Sequence, residues 1–165
     1  MRLNEIERPL PAVKQRATDI VTNLVKPGTV VYRGLRVGPE ALKMSIRQIL
    51  SSDFFNRNRE FDHWSLDPEI SKQFATGTHM NPDGTMGNKK DTINFLVAAK
   101  ISPSDVDFQE LRKLVIGIYP GINFETEKEI PVFRSSYPKL QLIRYWVLNK
   151  NTNQWVPGTK PERLK

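Results

Sequence analysis

The sequence contains no cysteine, and this absence excludes several classes of protein. Without thiols the chain has no disulfide scaffold, no thiol nucleophile and no cysteine-rich zinc site, although either redox compartment remains open. Histidine is nearly as scarce. The two histidines, His63 and His79, would make a poor metal site by themselves, so no metal is expected.

Long apolar runs are also missing from the sequence. No segment approaches the ~18 apolar residues that a membrane span needs, and residues 1–7 begin no apolar run of signal-peptide length. With 38% hydrophobic and 26% charged residues, the composition is that of a soluble globular protein. A chain of 165 residues can bury roughly two-thirds of the surface that it exposes when unfolded. We therefore expect residues 1–165 to form a single cytoplasmic domain that does not contact a membrane.

Acidic residues are rare near the C-terminus, where most of the net charge of +7 resides. In residues 134–165 one acid, Glu162, stands against seven basic residues: Arg134, Lys139, Arg144, Lys150, Lys160, Arg163 and Lys165. Such a surface favours a nucleic acid, a polyphosphate or another acidic partner. A basic solvated tail is the favoured interpretation, because no stacking aromatic residues alternate with basic ones along this segment. Nucleic-acid binding remains an alternative.

Helices are predicted in the first half of the chain. Apolar residues recur at three- and four-residue steps in residues 11–26 and 39–50. The order Asp67-Pro68-Glu69 is typical of an N-cap, a first-turn proline and a first-turn acid, so a short helix should follow it. Residues 76–91 are rich in glycine and turn formers, and we interpret them as either a lid or a variable surface loop.

Strands are predicted mainly in the second half of the chain. Alternating or continuous apolar residues with β-branched and aromatic side chains predict strands at residues 29–35, 59–65, 92–101, 127–132 and 139–148. Residues 115–119 form a further apolar run. Because helices come early and strands late, without sustained β-α-β alternation, the predicted class is α+β with mainly antiparallel pairing.

Two closely spaced glutamates, Glu127 and Glu129, suggest chemistry. If residues 127–132 are extended, both carboxylates lie on one face, roughly 7 Å apart, while Ile130 and Val132 face the core. Like charges this close repel each other, so a purely structural strand would more often carry threonine or lysine at one of the two positions. The pair suits a reaction that develops positive charge and needs a base. The alternative is a solvated strand with two surface glutamates.

An arginine interrupts the apolar strand at residues 29–35. Period-two alternation places Arg33 on the face of Val31, opposite Tyr32. A guanidinium is costly to bury unless it meets an anion, so Arg33 has either a structural carboxylate partner or a ligand phosphate. Gly34, the next residue, would let a ligand approach the backbone closely.

The order of these features resembles the arginine–serine–glutamate class of mono-ADP-ribosyltransferases, found among bacterial toxins, phage enzymes and vertebrate ecto-transferases. Tyr32-Arg33-Gly34 is similar to the family's arginine motif. Residues 65–75 are similar to the end of its Ser-Thr-Ser segment and the following helix, and residues 127–132 to its Glu-x-Glu motif. With the intervening strands, the resemblance covers most of residues 29–148.

The sequence departs from the family pattern at His63. The Ser-Thr-Ser segment aligns on His63-Trp64-Ser65, so the first serine is replaced by histidine. In the family that serine helps to hold the catalytic glutamate. Either His63 performs this role, Ser65 replaces it, or activity is reduced. His63 is otherwise an ordinary strand histidine, although it shares a face with Ser65.

The resemblance implies two packed, mainly antiparallel sheets around an NAD cleft, with the N-terminal helices beside it. NAD would be the co-substrate, with Arg33 pairing a phosphate and Gly34 offering backbone groups to the nicotinamide amide. Ser65, with His63, would orient the ribose. The helix after Ser65 would contribute Phe74 to the cofactor site.

The resemblance also implies the reaction. Glu129 would bind the ribose 2′-hydroxyl and stabilise the oxocarbenium-like state as nicotinamide leaves, without any metal. Glu127 would orient and deprotonate the acceptor, and a glutamate there usually accompanies arginine acceptors on a target protein. Residues 76–91 would close over NAD, and residues 119–126 would meet the target. Delivery into a host cell would require a route without a signal peptide.

Three other functions remain open from the sequence. An NAD glycohydrolase on the same fold would use water as the acceptor. A non-catalytic binding module that retains the fold would account for the substitution at His63. A nucleic-acid modifier or binder would use the basic residues near the C-terminus.

Overall fold

The computed structural model describes residues 15, 19, 23, 25–51, 60–76, 92–116 and 128–165. These contain strands β1 (Thr29–Val37), β2 (Phe61–Ser65), β3 (Ile93–Ile101), β4 (Glu129–Phe133), β5 (Gln141–Asn149) and β6 (Gln154–Pro157), and helices α1 (Ile46–Ser51), α2 (Pro68–Thr76) and α3 (Phe108–Ile116). Short 3-10 helices span Pro39–Lys43, Pro103–Asp105, Arg134–Lys139 and Pro161–Leu164.

The six described strands form one antiparallel sheet in the order β4-β2-β1-β3-β5-β6. The predicted α+β class with antiparallel pairing agrees with this arrangement. The two packed sheets around a cleft that the resemblance implied stay a prediction, because the described strands make a single sheet. That sheet is weakly joined near its middle: within the described residues β1 and β2 share one residue pair, Tyr32 with Ser65.

The alternation of side chains gives the sheet two different faces. The face that we call the core face carries Val31, Leu35, Trp64 and Phe95, and it packs against Ile49 of α1 in the main hydrophobic core. The opposite face, which we call the α2 face, is covered in part by α2. Period-two geometry therefore decides which residues of each strand are structural.

Helix α2 explains Gly34. A Cβ at this position would collide with the carbonyl oxygen of Ser71 and with Ala75, so the helix backbone occupies the space above the glycine. The Ser71 hydroxyl also donates to the Tyr32 carbonyl oxygen at 2.9 Å. Close approach of a helix accounts for the glycine here without a ligand.

The helix predictions agree with the structure to different degrees. Helix α2 follows Asp67 as predicted, and Asp67 Oδ1 accepts the N–H of Glu69 at 2.9 Å. The helix predicted at residues 39–50 is divided, because Met44 is extended with φ −105° and ψ 148° between a 3-10 turn and α1. Most of the helix predicted at residues 11–26 lies outside the described residues.

The second half of the chain contains an unexpected helix. Helix α3 was not predicted, and it includes the first two residues of the apolar run 115–119. The predicted strands agree with β1, β2, β3 and β5 to within a few residues at each end. No helix in the described ranges is both long and apolar enough to cross a membrane.

The basic C-terminal segment is partly structural. Arg163 donates to the carbonyl oxygens of Ala41 and Met44, and its guanidinium lies 5.2 Å from the ring centre of Phe95 and 5.9 Å from that of Tyr145. This arginine therefore anchors the last 3-10 helix to the core. The interpretation of the whole segment as a solvated tail is too simple.

Candidate functional site

The strand order brings the three predicted motifs together. Glu129 of β4 pairs with Ser65 of β2, which pairs in turn with Tyr32 of β1. Residues directly opposite each other in an antiparallel sheet share a face, so all three lie on the α2 face. Segments far apart in the sequence thus meet in one row across three neighbouring strands.

His63 holds Glu129. The imidazole Nδ1 lies 2.6 Å from Glu129 Oε2, and because a carboxylate can only accept, Nδ1 is the donor. The Glu129 side chain is 5% exposed and that of His63 is 19% exposed, so the pair lies just below the surface. The imidazole stacks on Phe61 at 5.3 Å between ring centres, which fixes its plane. Of the alternatives for the substituted serine, the geometry favours His63 as the residue that positions Glu129.

Ser65 lies at the turn from β2 into α2. It is buried, and its hydroxyl oxygen accepts the N–H of Asp67 at 3.0 Å. This hydrogen bond precedes the Asp67 cap, so the two residues together set the direction in which α2 leaves the sheet. Ser65 is adjacent to Glu129 through backbone pairing.

Arg33 lies on the core face, as the alternation predicted. Its Nη1 donates to the His63 carbonyl oxygen at 2.8 Å, and its Nη2 lies 3.4 Å from Asp62 Oδ1. The guanidinium therefore has a structural carboxylate partner, one of the two alternatives that the sequence left open. The structure does not bring it to the face that carries Glu129.

Asp62 is the centre of a buried polar cluster that sequence reasoning missed. Its Oδ2 accepts from Arg134 Nη1 at 2.9 Å and from the Tyr137 hydroxyl at 2.6 Å, and that hydroxyl accepts Trp64 Nε1 at 3.1 Å. Burial raises the pKa of Tyr137 well above its usual range; Arg33 opposes this shift and Asp62 adds to it. The available signal was an acid at an inward-facing position of a predicted strand.

The sheet divides beside this site. Beyond the pair Tyr32–Ser65, the described parts of β1 and β2 share no further strand pairing. Arg33 crosses the division through its hydrogen bond to His63. Side chains supply partners to two backbone carbonyls at this division, since Ser71 donates to that of Tyr32 as Arg33 does to that of His63.

Two predicted residues are less closely connected to this site. Phe74 lies on α2 with 39% of its surface exposed. Glu127 lies outside the described residues, as do residues 77–91 and 119–126. The predicted alternation from Glu127 to Glu129 is wrong at its midpoint, because Lys128 has φ 48° and the strand begins at Glu129.

No protein-family model and no curated protein matches the sequence. Among the described residues there is no group of three or more histidine, aspartate or glutamate side chains that could hold a metal ion. What the described site offers is an imidazole–carboxylate pair beside a division in the sheet.

Proposed function

We propose that this chain is an NAD-dependent mono-ADP-ribosyltransferase that transfers ADP-ribose to an arginine of a target protein and releases nicotinamide. The observation that carries the proposal is the position of Glu129. This nearly buried carboxylate is oriented by His63, adjoins Ser65, and lies on the strand next to the division in the sheet.

The carboxylate suits a reaction that develops positive charge. In a site shielded from water, a fixed negative charge stabilises a nearby cation more strongly than it would in solution. His63 engages Oε2, and within the described residues Oε1 accepts no hydrogen bond. Oε1 is therefore the atom that we assign to the ribose 2′-hydroxyl.

The bond changes follow from this assignment. The C–N glycosidic bond of NAD breaks, and its electron pair leaves with neutral nicotinamide. The acceptor guanidine nitrogen then bonds to the anomeric carbon and loses its proton to Glu127, as the resemblance implies. Glu129 stabilises the intervening oxocarbenium-like state by charge, without forming a covalent bond.

Arg33 has a more structural part in this proposal than the resemblance alone suggests. Its hydrogen bond to His63 O joins β1 to β2 at the division in the sheet, which supports the strand that carries His63. A direct contact between Arg33 and an NAD phosphate stays a prediction, and so do the contacts of Gly34 and Phe74 with NAD.

Nicotinamide release from NAD by the purified chain tests the proposal. We expect Glu129→Gln to lower the rate at least about a thousandfold, because the charge that stabilises the transition state is lost. Glu162→Gln makes the same chemical change at an exposed glutamate far along the chain and should release nicotinamide like the wild type. No release by the wild type, or equal release by Glu129→Gln, would contradict the proposal.

A second arm identifies the acceptor. Incubation of labelled NAD with a cell lysate, or with a small guanidine compound, should yield ADP-ribosylated product in a reaction that depends on Glu129. Release of nicotinamide without any labelled product would instead assign water as the acceptor and make the chain an NAD glycohydrolase.

A further inference from the structure

Partly exposed aromatic residues occupy the α2 face beyond α2 itself. Tyr32 of β1, Trp146 of β5 and Trp155 of β6 share this face, because Trp146 lies opposite Leu96, and Trp155 lies opposite Leu148. All three aromatic residues are partly exposed, and none is a member of the main core. The rings of Tyr32 and Trp146 lie 6.4 Å apart at 44° to each other.

Two exposed cations lie on the same face as these rings. Strands β1, β3, β5 and β6 contain no aspartate or glutamate. Lys100 and Arg144 are exposed on the α2 face, and the Arg144 guanidinium lies 5.7 Å from the ring centre of Trp146. We call Tyr32, Trp146, Trp155, Lys100 and Arg144 the aromatic platform.

We propose that the aromatic platform binds a single-stranded nucleic acid. Aromatic side chains stack on bases of any sequence, and neighbouring cations meet the phosphates. Tyr32 on β1 and Trp155 on β6 are three strand spacings apart across the sheet, or ~14 Å, and four residues, or ~13 Å, apart along the strands. Sheets of similar width stack about two or three bases in known RNA-binding modules.

The combination of rings and cations decides between classes of partner. An acidic peptide would use Lys100 and Arg144 but would leave the faces of the aromatic rings without a role. A duplex would meet the cations while its bases stayed stacked inside the helix. Only an unpaired strand uses both kinds of side chain, which is why we assign a single strand to this surface.

The sheet brings together aromatic and basic residues that are distant in the sequence. Along residues 134–165, aromatic and basic residues do not alternate in a regular way, so the sequence favoured a solvated tail. The strand order places Tyr32 near Trp146, although the two are 114 positions apart in the numbering, and it places Arg144 beside Trp146. Neither tryptophan touches the proposed reaction, so this inference stands independently of the NAD activity.

Binding of the full chain to a fluorescein-labelled 15-nucleotide RNA of mixed sequence, followed by anisotropy, tests the proposal. We expect binding to the single strand at least about tenfold tighter than to the matching duplex. Trp146→Leu should weaken binding about tenfold, whereas Trp146→Phe, which keeps an aromatic face, should restore most of it. Thermal unfolding of both variants serves as the control that they are folded.

Charge is tested separately. Arg144→Gln should weaken binding and lower the slope of log K against log salt by about 0.7, the value for one lost contact with a single strand. Lys43→Gln removes the same charge from an exposed 3-10 helix away from the platform and should leave the slope unchanged.

Three results would overturn the proposal: equal affinity for duplex and single strand, wild-type binding by Trp146→Leu, or equally tight binding of polyglutamate that competes with the RNA. Glu129→Gln should bind the RNA like the wild type. The nucleic-acid inference and the NAD proposal can therefore fail separately.

Discussion

Adjacent residues of β2 serve opposite purposes. Asp62 lies on the core face, where its carboxylate meets Arg33, Arg134 and Tyr137. His63 lies on the α2 face, where its imidazole holds the single carboxylate of Glu129. One strand can thus stabilise the fold on one side and present chemistry on the other, because successive side chains point in opposite directions.

The carboxylates of Asp62 and Glu129 differ in how many hydrogen-bond and ion-pair partners they have. Both oxygens of Asp62 are engaged within the buried cluster, and the carboxylate is almost inaccessible. Glu129 is nearly as buried, yet in the described residues it has one side-chain partner. A saturated cluster resists change, whereas a carboxylate with spare acceptor capacity can bind a ligand.

Asp62→Ala should break the core-face cluster and have the largest effect. It would leave the partly buried Arg33 and Arg134 without their shared anion, a loss of about 3 kcal/mol in the free energy of unfolding, the low end for a buried ion pair. Urea unfolding measures this. Asp67→Ala is the comparison, because it removes an aspartate that caps a helix and should cost about 1 kcal/mol. Equal losses in the two variants would show that the Asp62 cluster has no special weight.

Gly34→Ala should disturb the α2 face. The new methyl group would press against Ser71 O and Ala75 of α2, and overpacking of this kind costs about 2 kcal/mol. We expect a lower urea midpoint and faster amide hydrogen exchange in α2 than in β5. An unchanged midpoint would mean that α2 does not approach Gly34 as closely as described.

Much of the fold followed from local pattern. Strands β1 to β5, the Asp67 cap and the face on which Arg33 lies were readable from alternation and helix-start signals, because these depend on neighbours in the sequence. Strand β6 was not predicted. Helix α3 was missed, and the helix at residues 39–50 was not divided at Met44. For α3 a local start signal was present, because Asp107 Oδ1 accepts the N–H of Glu110 at 3.1 Å in the manner of an N-cap.

The site was only partly predictable for a related reason. Pattern assigned Arg33 a buried position but could not choose between a carboxylate and a phosphate. The carboxylate belongs to Asp62, a residue 29 positions later, and the pairing depends on the order of the strands. The same holds for His63 and Glu129. The positive φ of Lys128, which ends the predicted alternation, had no local signal such as glycine.

The substitution Tyr137→Phe tests the core-face cluster through the pH dependence of the free energy of unfolding. The folded state keeps the Tyr137 pKa above its ordinary value of about 10, so the unfolded chain releases this proton first. The stabilisation is therefore complete below pH ~10 and is lost as pH rises toward the folded pKa. At neutral pH the variant should lose about 1.5 kcal/mol, because Asp62 and Trp64 each lose a partner.

Unfolding free energies from pH 7 to 11 check this expectation. The fall in stability at alkaline pH should be shallower in Tyr137→Phe than in the wild type. Tyr32→Phe, at a partly exposed tyrosine on the other face, should keep the contribution of Tyr137 to that fall. An identical slope in wild type and Tyr137→Phe would exclude the buried hydroxyl as its cause.

His63→Ala should have the smallest effect on stability and a large one on activity. The imidazole is partly exposed, so losing its hydrogen bond costs about 1 kcal/mol of unfolding free energy. Glu129 would lose the group that orients it, and displacement of a reacting group by about 1 Å can lower a rate about a hundredfold. We expect nicotinamide release to fall by that factor, and His63→Gln, which keeps an N–H donor, to recover part of it.

A stability loss as large as that of Asp62→Ala would make His63 a structural residue, and unchanged release would show that Glu129 does not need it. Either result would remove the distinction between the two faces of β2, since that distinction requires the core face to govern stability and the α2 face to govern chemistry.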